Sequence, residues 1–375
     1  MTDSVGVFSV LCFLAAFVVS ILLTIVAKKI AVKFKLLAHP KSDRFHSKII
    51  PLGGGIAIYF TILIVFLGAF ALIEYLLAKD IMEFCGRDFG EYIVGFANRA
   101  NELLITVLCA GVLFLLGLWD DIKNLSPWSK LIVEFAVAFV VAYWADVRVS
   151  LFIENKIITS ILSSFWIVLI INVFNFLDNM DGASAGIAVI ISLFLFVIAI
   201  LSGQVFVACS AMIFAGTLAG FLVFNLHPAS IFMGDAGSLV IGFFIAFLTL
   251  RTTYYHEITE ENDWYAVMAP LVILAIPLYD FISVTILRIS QGKSPFVGDT
   301  QHFSHRLKKL GLTDFQTVLT LYLATIATGL GAVVLTKAVW PYGLLVFLQT
   351  IVVLEIVALL ESIGRNDKKQ SDTKQ

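Results

Sequence analysis

The chain has 375 residues, of which 60% are apolar and only 14% are charged, and its mean hydropathy is +0.97. Soluble domains carry roughly 45–50% apolar and about 25% charged residues, so this composition excludes a soluble enzyme and a disordered chain. The four cysteines and the net charge of −2 indicate neither a disulfide framework nor a nucleic-acid partner.

Eleven apolar runs follow one another along the chain, most of them close to the roughly 20 residues that a membrane-spanning helix needs. They cover 5–27, 53–78, 103–119, 128–145, 158–177, 183–201, 205–224, 237–255, 266–287, 315–336 and 339–360. The sequence therefore predicts an all-α fold, a polytopic membrane helix bundle with about eleven transmembrane helices. Residues 1–360 are expected to form one integral membrane domain, and residues 361–375 a disordered cytoplasmic tail.

The distribution of Lys and Arg predicts the orientation of this bundle. With the N-terminus outside, the inner segments hold 17 Lys and Arg residues and the outer connections hold six. Cytoplasmic loops of membrane proteins are enriched in these residues. We therefore expect a multi-pass protein of the cell (inner) membrane with its N-terminus outside and its C-terminus inside.

Five polar clusters lie in the connections that this orientation places on the inner side. They are HPKSDRFHSKIIPLGGG at 39–55, GLWDDIKNLSP at 117–127, NVFNFLDNMDG at 172–182, NLHPASIFMGDAGS at 225–238 and GDTQHFSHRL at 298–307. Hydropathy and the basic-residue counts do not depend on these motifs. Their common side is therefore independent evidence for one site on the cytoplasmic face.

Asp120 and Asp121 end the third predicted helix. The negative end of the helix dipole disfavours each carboxylate there by about 0.3–1 kcal/mol. One interpretation is that two solvated aspartates end a span. The other is that a carboxylate pair is held at headgroup depth to bind a cation or to accept a proton.

Asn172, Asn175 and Asp178 recur at a spacing of three on the fifth predicted helix and so share one face. Amides on an apolar helix need partners inside the bundle, as part of a site or as a polar contact between helices. Asp181 opens the sixth helix, where a carboxylate also serves as a simple N-cap.

Asp235 lies between Gly234 and Gly237 and precedes the eighth predicted helix. The unbroken apolar stretch after it, 238–250, spans about 20 Å, which is short of the roughly 30 Å hydrocarbon core. Either the helix continues to residues 254–255 while Arg251 snorkels, or Asp235 is recessed below the surface. A recessed carboxylate with an open neighbouring position suits Mg²⁺.

His302, His305 and Arg306 lie in the longest basic inner loop, where they suit a diphosphate or belong to an amphipathic surface helix. Glu134 and Asp280 are intramembrane carboxylates and should face the bundle interior rather than lipid. Carboxylates, amides, histidines and an arginine on one face indicate a Mg²⁺-assisted phosphoryl transfer. A site at the membrane boundary makes a lipid phosphate the expected second substrate.

Taken in order, these motifs resemble those of the polyprenyl-phosphate N-acetylhexosamine-1-phosphate transferases, along essentially the whole chain. The runs that carry the resemblance are DRFHSKIIPLGGG, DDIKNL, NVFNFLDNMDG, PASIFMGDAGS and SPFVGDTQHFSHRL. The resemblance implies transfer of a sugar 1-phosphate from a UDP-sugar to undecaprenyl phosphate with release of UMP. It also implies Mg²⁺ as the cofactor, with Mn²⁺ as a substitute, and a bundle of ten or eleven helices.

The resemblance also implies a role for each matching residue. The catalytic residues are Asp120 and Asp121, which would face the lipid phosphate, and Asp178 and Asp181, which would line the nucleotide-sugar pocket. The substrate-binding residues are Arg44, His46, Asn172, His302, His305 and Arg306. The metal ligands are Asp235 and Asn175.

Some positions depart from the family pattern, namely Ala38, Asn179, Ala183 and Ser304. The first-loop motif favours the N-acetylglucosamine branch, which begins the synthesis of O-antigen, teichoic acid or related cell-envelope polysaccharides. The alternative within the family is the phospho-N-acetylmuramoyl-pentapeptide transferase of peptidoglycan synthesis. The alternatives of other classes are an ion-coupled transporter, which would carry ionisable residues near the midplane, and a non-catalytic scaffold. The oligomeric state stays open, with a homodimer as one arrangement.

Overall fold

The computed structural model describes residues 2–38, 49–78, 99–149, 153–254, 264–294, 306–308 and 310–372. Its helices are α1 (Thr2–Lys33), α2 (Gly54–Ala78), α3 (Ala100–Lys123), α4 (Pro127–Trp144), α5 (Lys156–Leu177), α6 (Ala183–Leu201), α7 (Val205–Asn225), α8 (Gly234–Arg251), α9 (Ala269–Ile273, preceded by a 3₁₀ turn at Trp264–Met268), α10 (Ala275–Ser290), α11 (Asp314–Leu335) and α12 (Tyr342–Asp372). Strand β1 (Leu37–Ala38) pairs antiparallel with β2 (Ile50–Pro51).

Ten helices of the described residues are long and apolar enough to cross a membrane. An eleventh span is reached by joining the short helices before and after Leu274, which are bent by 67°. The predicted all-α membrane bundle is thus confirmed, whereas the continuous span predicted at 266–287 is wrong. The ring of Pro277 would clash with the carbonyl of Ile273 in a continuous helix, and α9 ends at Ile273. The orientation of the termini stays a prediction.

The last helix, α12, continues beyond the predicted end of the bundle at residue 360. Its membrane-crossing part ends at Leu360, in agreement with the hydropathy, but the backbone stays helical to Asp372. The segment 361–372, expected to be disordered, is therefore helical. The division of the chain into one domain and a tail stays a prediction.

Helix α8 lies at the centre of the bundle, with α2, α3, α5 and α6 packed around it. Its side chains are buried on every face, from Ala236 to Thr249. A helix that is apolar all round belongs inside the fold, and α8 contains no charged residue between Asp235 and Arg251. The first turn of α8 is therefore held in a fixed place by its neighbours.

Glycines bring two neighbouring helices against the backbone of that first turn. A Cβ atom at Gly55 in α2 would lie 2.5 Å from the backbone nitrogen of Gly237, and one at Gly117 in α3 would lie 2.5 Å from the backbone of Asp235. In addition, the N–H groups of Gly53 and Gly54 donate to the carbonyl of Phe232. Such close approach of backbones is how small residues pack membrane helices.

We expect Gly55→Ala to destabilise the bundle, because the added methyl group meets backbone atoms that cannot rotate away. Overpacking of this kind typically costs about 1–3 kcal/mol, and it should lower the midpoint of thermal unfolding in detergent. Gly68→Ala in the same helix is the matched control, because nothing lies within 4 Å of its added Cβ. That control should keep or raise the midpoint, since Ala favours the helix more than Gly does. Equal midpoints for Gly55→Ala and the wild type would contradict the close approach of α2 to α8.

Candidate functional site

One end of the bundle, which we call the site end, is where α3, α5 and α7 finish and α4, α6 and α8 begin. Here Lys130 in the first turn of α4 joins two carboxylates. Its Nζ donates to Oδ2 of Asp120 at 2.8 Å and to Oδ2 of Asp235 at 2.5 Å. The backbone N–H of Leu125 donates to Oδ1 of Asp120. The short turn from α3 to α4 thus folds Lys130 back onto the end of α3.

Asp121 holds the N-terminus of α8. Its Oδ1 accepts from the backbone N–H of Asp235 at 2.9 Å, and its Oδ2 accepts from that of Ala236 at 3.2 Å. These N–H groups have no partner within their own helix, and the positive end of the α8 dipole favours the carboxylate. That contact offsets the unfavourable position of Asp121 at the end of α3. Both oxygens therefore face α8, and the role toward the lipid phosphate that the resemblance implies for Asp121 stays a prediction.

The amides of α5 find partners inside the bundle, as the sequence predicted. Nδ2 of Asn172 donates to Oε2 of Glu134 at 2.7 Å, and Nδ2 of Asn175 donates to Oγ of Ser238 at 2.9 Å. Ser238 is one turn after Asp235 in α8. Asn175 thus contacts α8 one turn deeper than the Asp235 carboxylate, and Glu134 faces the interior as expected.

Asp181 connects two loops at the site end instead of capping a helix. Its Oδ2 accepts from the backbone N–H of Ala229 at 3.0 Å and lies 3.0 Å from Nδ1 of His227. The N-cap of α6 is Gly182, with no side-chain cap. The simple N-cap interpretation of Asp181 is therefore wrong, because the α7–α8 loop provides its donors.

Gly182 and Asn225 reinforce the same connection. Gly182 adopts φ 74°, a left-handed conformation that favours glycine, and its N–H donates to Oδ1 of the buried Asn225 at 3.1 Å. Asn225 in turn donates to the carbonyl of Ile231. Asp178 is the C-cap residue of α5 and so lies in the same turn. The third and fourth sequence clusters thus form one folded unit.

Arg306 is almost buried, at 8% exposure, and contacts α10. Its Nη2 donates to Oγ of Ser283 at 2.7 Å and lies 4.0 Å from Oδ1 of Asp280. Asp280 is itself buried, as expected for an intramembrane carboxylate. The guanidinium thus faces α10. The resemblance implies that it holds a diphosphate, and that role stays a prediction.

Four predicted substrate-binding residues lie outside the described residues. They are Arg44, His46, His302 and His305. Their roles stay predictions, as do the catalytic, substrate-binding and metal-binding roles of the described residues.

Asp120, Asp121, Lys130, Glu134 and Asp235 lie at the site end, and we call them the cluster. The sequence motifs predicted no site role for Lys130 or Glu134. A usable signal was their spacing of four, which places both on one face of α4 directly after the aspartate pair. Helix α8 ends at Arg251 and does not continue to residues 254–255. Nε of Arg251 lies 2.8 Å from Oε1 of Glu102 in an ion pair.

The residues of the cluster fit a divalent cation only together with phosphate ligands. Across the described ranges, no three His, Cys, Asp or Glu side chains come together as a metal-binding group. Mg²⁺, however, usually takes one or two carboxylates and completes its shell with water and substrate phosphates. Asp235 offers such an oxygen on a side chain that is 29% exposed, and the Lys130 ammonium beside it marks a position that favours positive charge.

Comparison with known proteins identifies relatives over most of the chain. Residues 103–253, which include the Asp120–Lys130–Asp235 cluster, match the model of Glycosyl transferase family 4. A "Probable undecaprenyl-phosphate N-acetylglucosaminyl 1-phosphate transferase" of Bacillus subtilis (strain 168) is 28% identical over 382 aligned positions, covering 100% of this chain and 98% of that protein.

Two further relatives come from other bacteria. The "Undecaprenyl-phosphate alpha-N-acetylglucosaminyl 1-phosphate transferase" of Escherichia coli (strain K12) is 28% identical, covering 83% of this chain and 79% of its own length. The "Decaprenyl-phosphate N-acetylglucosaminephosphotransferase" of Mycolicibacterium smegmatis is 27% identical, covering 78% and 74%.

We expect the Asp280–Arg306 ion pair to stabilise the fold cooperatively. Asp280→Asn and Arg306→Met each remove one member of a buried ion pair, which typically costs about 3–5 kcal/mol. Each should lower the thermal midpoint in detergent, and the double variant should lose less stability than the sum of the two. Asp314→Asn and Lys308→Met form the control pair, which is more exposed and should matter little. Strict additivity at Asp280 and Arg306 would contradict their coupling.

Proposed function

We propose that the chain, whose residues 103–253 match the model of Glycosyl transferase family 4, transfers a sugar 1-phosphate from a UDP-sugar to undecaprenyl phosphate. The transferred group is N-acetylglucosamine 1-phosphate and the product released is UMP. The reaction is the first membrane step of cell-envelope polysaccharide synthesis. The names of the relatives support this branch over the muramoyl-pentapeptide, transporter and scaffold alternatives.

The observation that carries the proposal is the Asp120–Lys130–Asp235 contact at the site end of a membrane bundle. Both substrates carry phosphate, and charged groups placed at the ends of membrane helices reach both a lipid headgroup and a soluble nucleotide. An oxygen of the lipid phosphate attacks the phosphorus that bears the sugar. The bond from that phosphorus to the UMP oxygen breaks, and UMP leaves with the electron pair.

The lipid phosphate needs little help to become a nucleophile. The second pKa of a phosphate monoester is near 6, so the group is already largely ionised at neutral pH. Asp120 is engaged by Leu125 and Lys130, which supports a role in positioning the lysine rather than in removing a proton. Lys130 has three N–H donors, so its ammonium can hold carboxylates and still offer a donor to a phosphate oxygen.

Asp235, assisted by Asn175, is proposed to bind Mg²⁺, for which Mn²⁺ can substitute. When bound, the metal neutralises charge on the diphosphate during its transfer. Asp121 fixes the backbone at Asp235, and Ser238 ties the amide of Asn175 to the same helix. The chain thus holds the carboxylate still while the remaining ligands come from phosphate and water.

An apolar groove beside α10 suits the isoprenoid chain of the lipid substrate. Its volume is about 550 Å³, and it lies between α9, α10 and α12. Ser283 lines this groove and also accepts the hydrogen bond of Arg306. The ring of Phe281 in α10 lies 4.9 Å from that of Phe176, the residue after Asn175. The helix that forms one wall of the groove therefore also packs against the end of α5, and we propose that the phosphate of a bound lipid is held at the site end.

We expect the purified protein in detergent to release UMP from UDP-N-acetylglucosamine when undecaprenyl phosphate and Mg²⁺ are both present. Chelation should stop the reaction, and added Mg²⁺ or Mn²⁺ should restore it. Asp235→Asn removes the proposed metal-binding charge at constant shape, so it should lower kcat on the order of 10²-fold or more. Asp146→Asn, at an exposed carboxylate paired with Arg148, is the matched control and should keep full activity. Activity of Asp235→Asn equal to that of the control would refute the metal assignment.

The proposed orientation places the site end in the cytoplasm. Native cysteines would be replaced first, and single cysteines then introduced as Ser126→Cys at the site end and Glu154→Cys at the opposite end. A membrane-impermeant thiol reagent should label Glu154→Cys in intact cells and Ser126→Cys only after permeabilisation. The reverse pattern would contradict the N-out orientation that the Lys and Arg counts predict.

A further inference from the structure

Glu134 carries a buried carboxylate oxygen without a partner. The residue has 0% exposure, its Oε2 accepts from Asn172, and its Oε1 has no hydrogen-bond partner among the described residues. Buried polar atoms are nearly always hydrogen-bonded, and each exception calls for a physical explanation. The cost is greatest for an ionised group, so this oxygen is expected to have an occupant in another state of the protein.

The nearest charged neighbour along α4 is Lys130, one helical turn before Glu134. Residues four apart on a helix have Cβ atoms about 5–6 Å apart, and helical side chains tilt toward the N-terminus. The Glu134 side chain therefore extends toward the turn that carries Lys130. The side chain of Lys130 is a flexible four-carbon stem, so we expect a change of its rotamers alone to bring the ammonium to the Glu134 carboxylate.

Lys130 and the proposed cation compete for the same carboxylate. The ammonium of Lys130 lies 2.5 Å from Oδ2 of Asp235, one of the two oxygens through which Asp235 can ligate a metal. Two cations at that distance repel each other strongly in a partly buried site. Lys130 must then withdraw from Asp235 when a divalent cation binds. It keeps its hydrogen bond to Asp120, and the N–H donor that loses Asp235 needs another acceptor in this largely desolvated place.

We propose that Glu134 Oε1 is this second acceptor, so that the Lys130 ammonium moves from Asp235 to Glu134 when the cation binds. Glu134 is then a positioning residue that acts through Lys130 and touches no substrate. The hydrogen bond from Asn172 to Oε2 holds the carboxylate in place and leaves Oε1 for the ammonium. This inference rests on the proposed binding of a divalent cation at Asp235.

The test is Mn²⁺ binding to the full-length protein in detergent, measured by electron paramagnetic resonance without nucleotide or lipid. Glu134→Gln removes the charge, while its one oxygen continues to accept from Asn172. The displaced ammonium then keeps Asp120 but gains no charged replacement for Asp235, so Mn²⁺ affinity should fall on the order of tenfold, the scale of one hydrogen bond between charged groups. Lys130→Met removes the competitor and should raise Mn²⁺ affinity.

The decisive measurement is Glu134→Gln in the Lys130→Met background, where it should leave Mn²⁺ affinity unchanged. A fixed negative charge at Glu134 would instead attract Mn²⁺ with or without Lys130, so equal weakening in both backgrounds would overturn the proposal. Glu102→Gln is the matched control, because it also removes a partly buried, ion-paired carboxylate. Glu102 lies about 27 Å along α3 from Asp120 and should not affect Mn²⁺ binding.

The outcomes separate this inference from the proposed function. Wild-type protein that binds Mn²⁺ with the same affinity as Glu134→Gln would overturn the second acceptor alone. Wild-type protein that binds no Mn²⁺ would overturn both the second acceptor and the metal assignment at Asp235. A loss of Mn²⁺ affinity in Glu134→Gln that occurs only when Lys130 is present would support both the second acceptor and the metal assignment at Asp235.

Discussion

The two hydrogen bonds from the first turn of α8 to the carboxylate of Asp121 connect the two halves of the site. They join the end of α3 to the beginning of α8, the most enclosed helix of the bundle. The glycine contacts at Gly55 and Gly117 bring the backbones close enough for this cap to form. Asp235 then projects from a turn whose backbone is fixed on several sides, and Lys130 meets it from α4.

The polar groups of this end of the bundle are arranged in levels along the membrane normal. Nearest the end of the helices, Lys130 contacts Asp120 and Asp235. One turn deeper, the two amides of α5 meet Glu134 and Ser238. Each deeper group is bound to a neighbouring helix, as the low polarity of a membrane interior requires. Contacts between α4, α5 and α8, one turn deeper in the bundle, thus hold the site in place.

Much of this could be predicted from the sequence, because hydropathy and charge asymmetry depend on composition over whole helices. The bundle, its spans and the meeting of the second, third and fourth clusters at one end followed from that alone. The bend before Pro277 could not be predicted, because hydropathy averaged over the length of a helix does not detect a break at a single residue. The partners of Lys130 and Asp181 could not either, because a charge near a helix end looks the same whether it faces lipid headgroups or another helix.

Charge balance links the geometry to the chemistry. The described cluster contains four carboxylates, those of Asp120, Asp121, Glu134 and Asp235, and one ammonium, that of Lys130, which contacts Asp120 and Asp235. If all are ionised, a diphosphate approaching them meets an excess of negative charge, in a partly buried place where screening by solvent is weak. The divalent cation that we propose at Asp235 would reverse this repulsion locally and leave the other carboxylates to hold the helices and the lysine. An excess of fixed negative charge is therefore compatible with anionic substrates when a divalent cation binds at the same site.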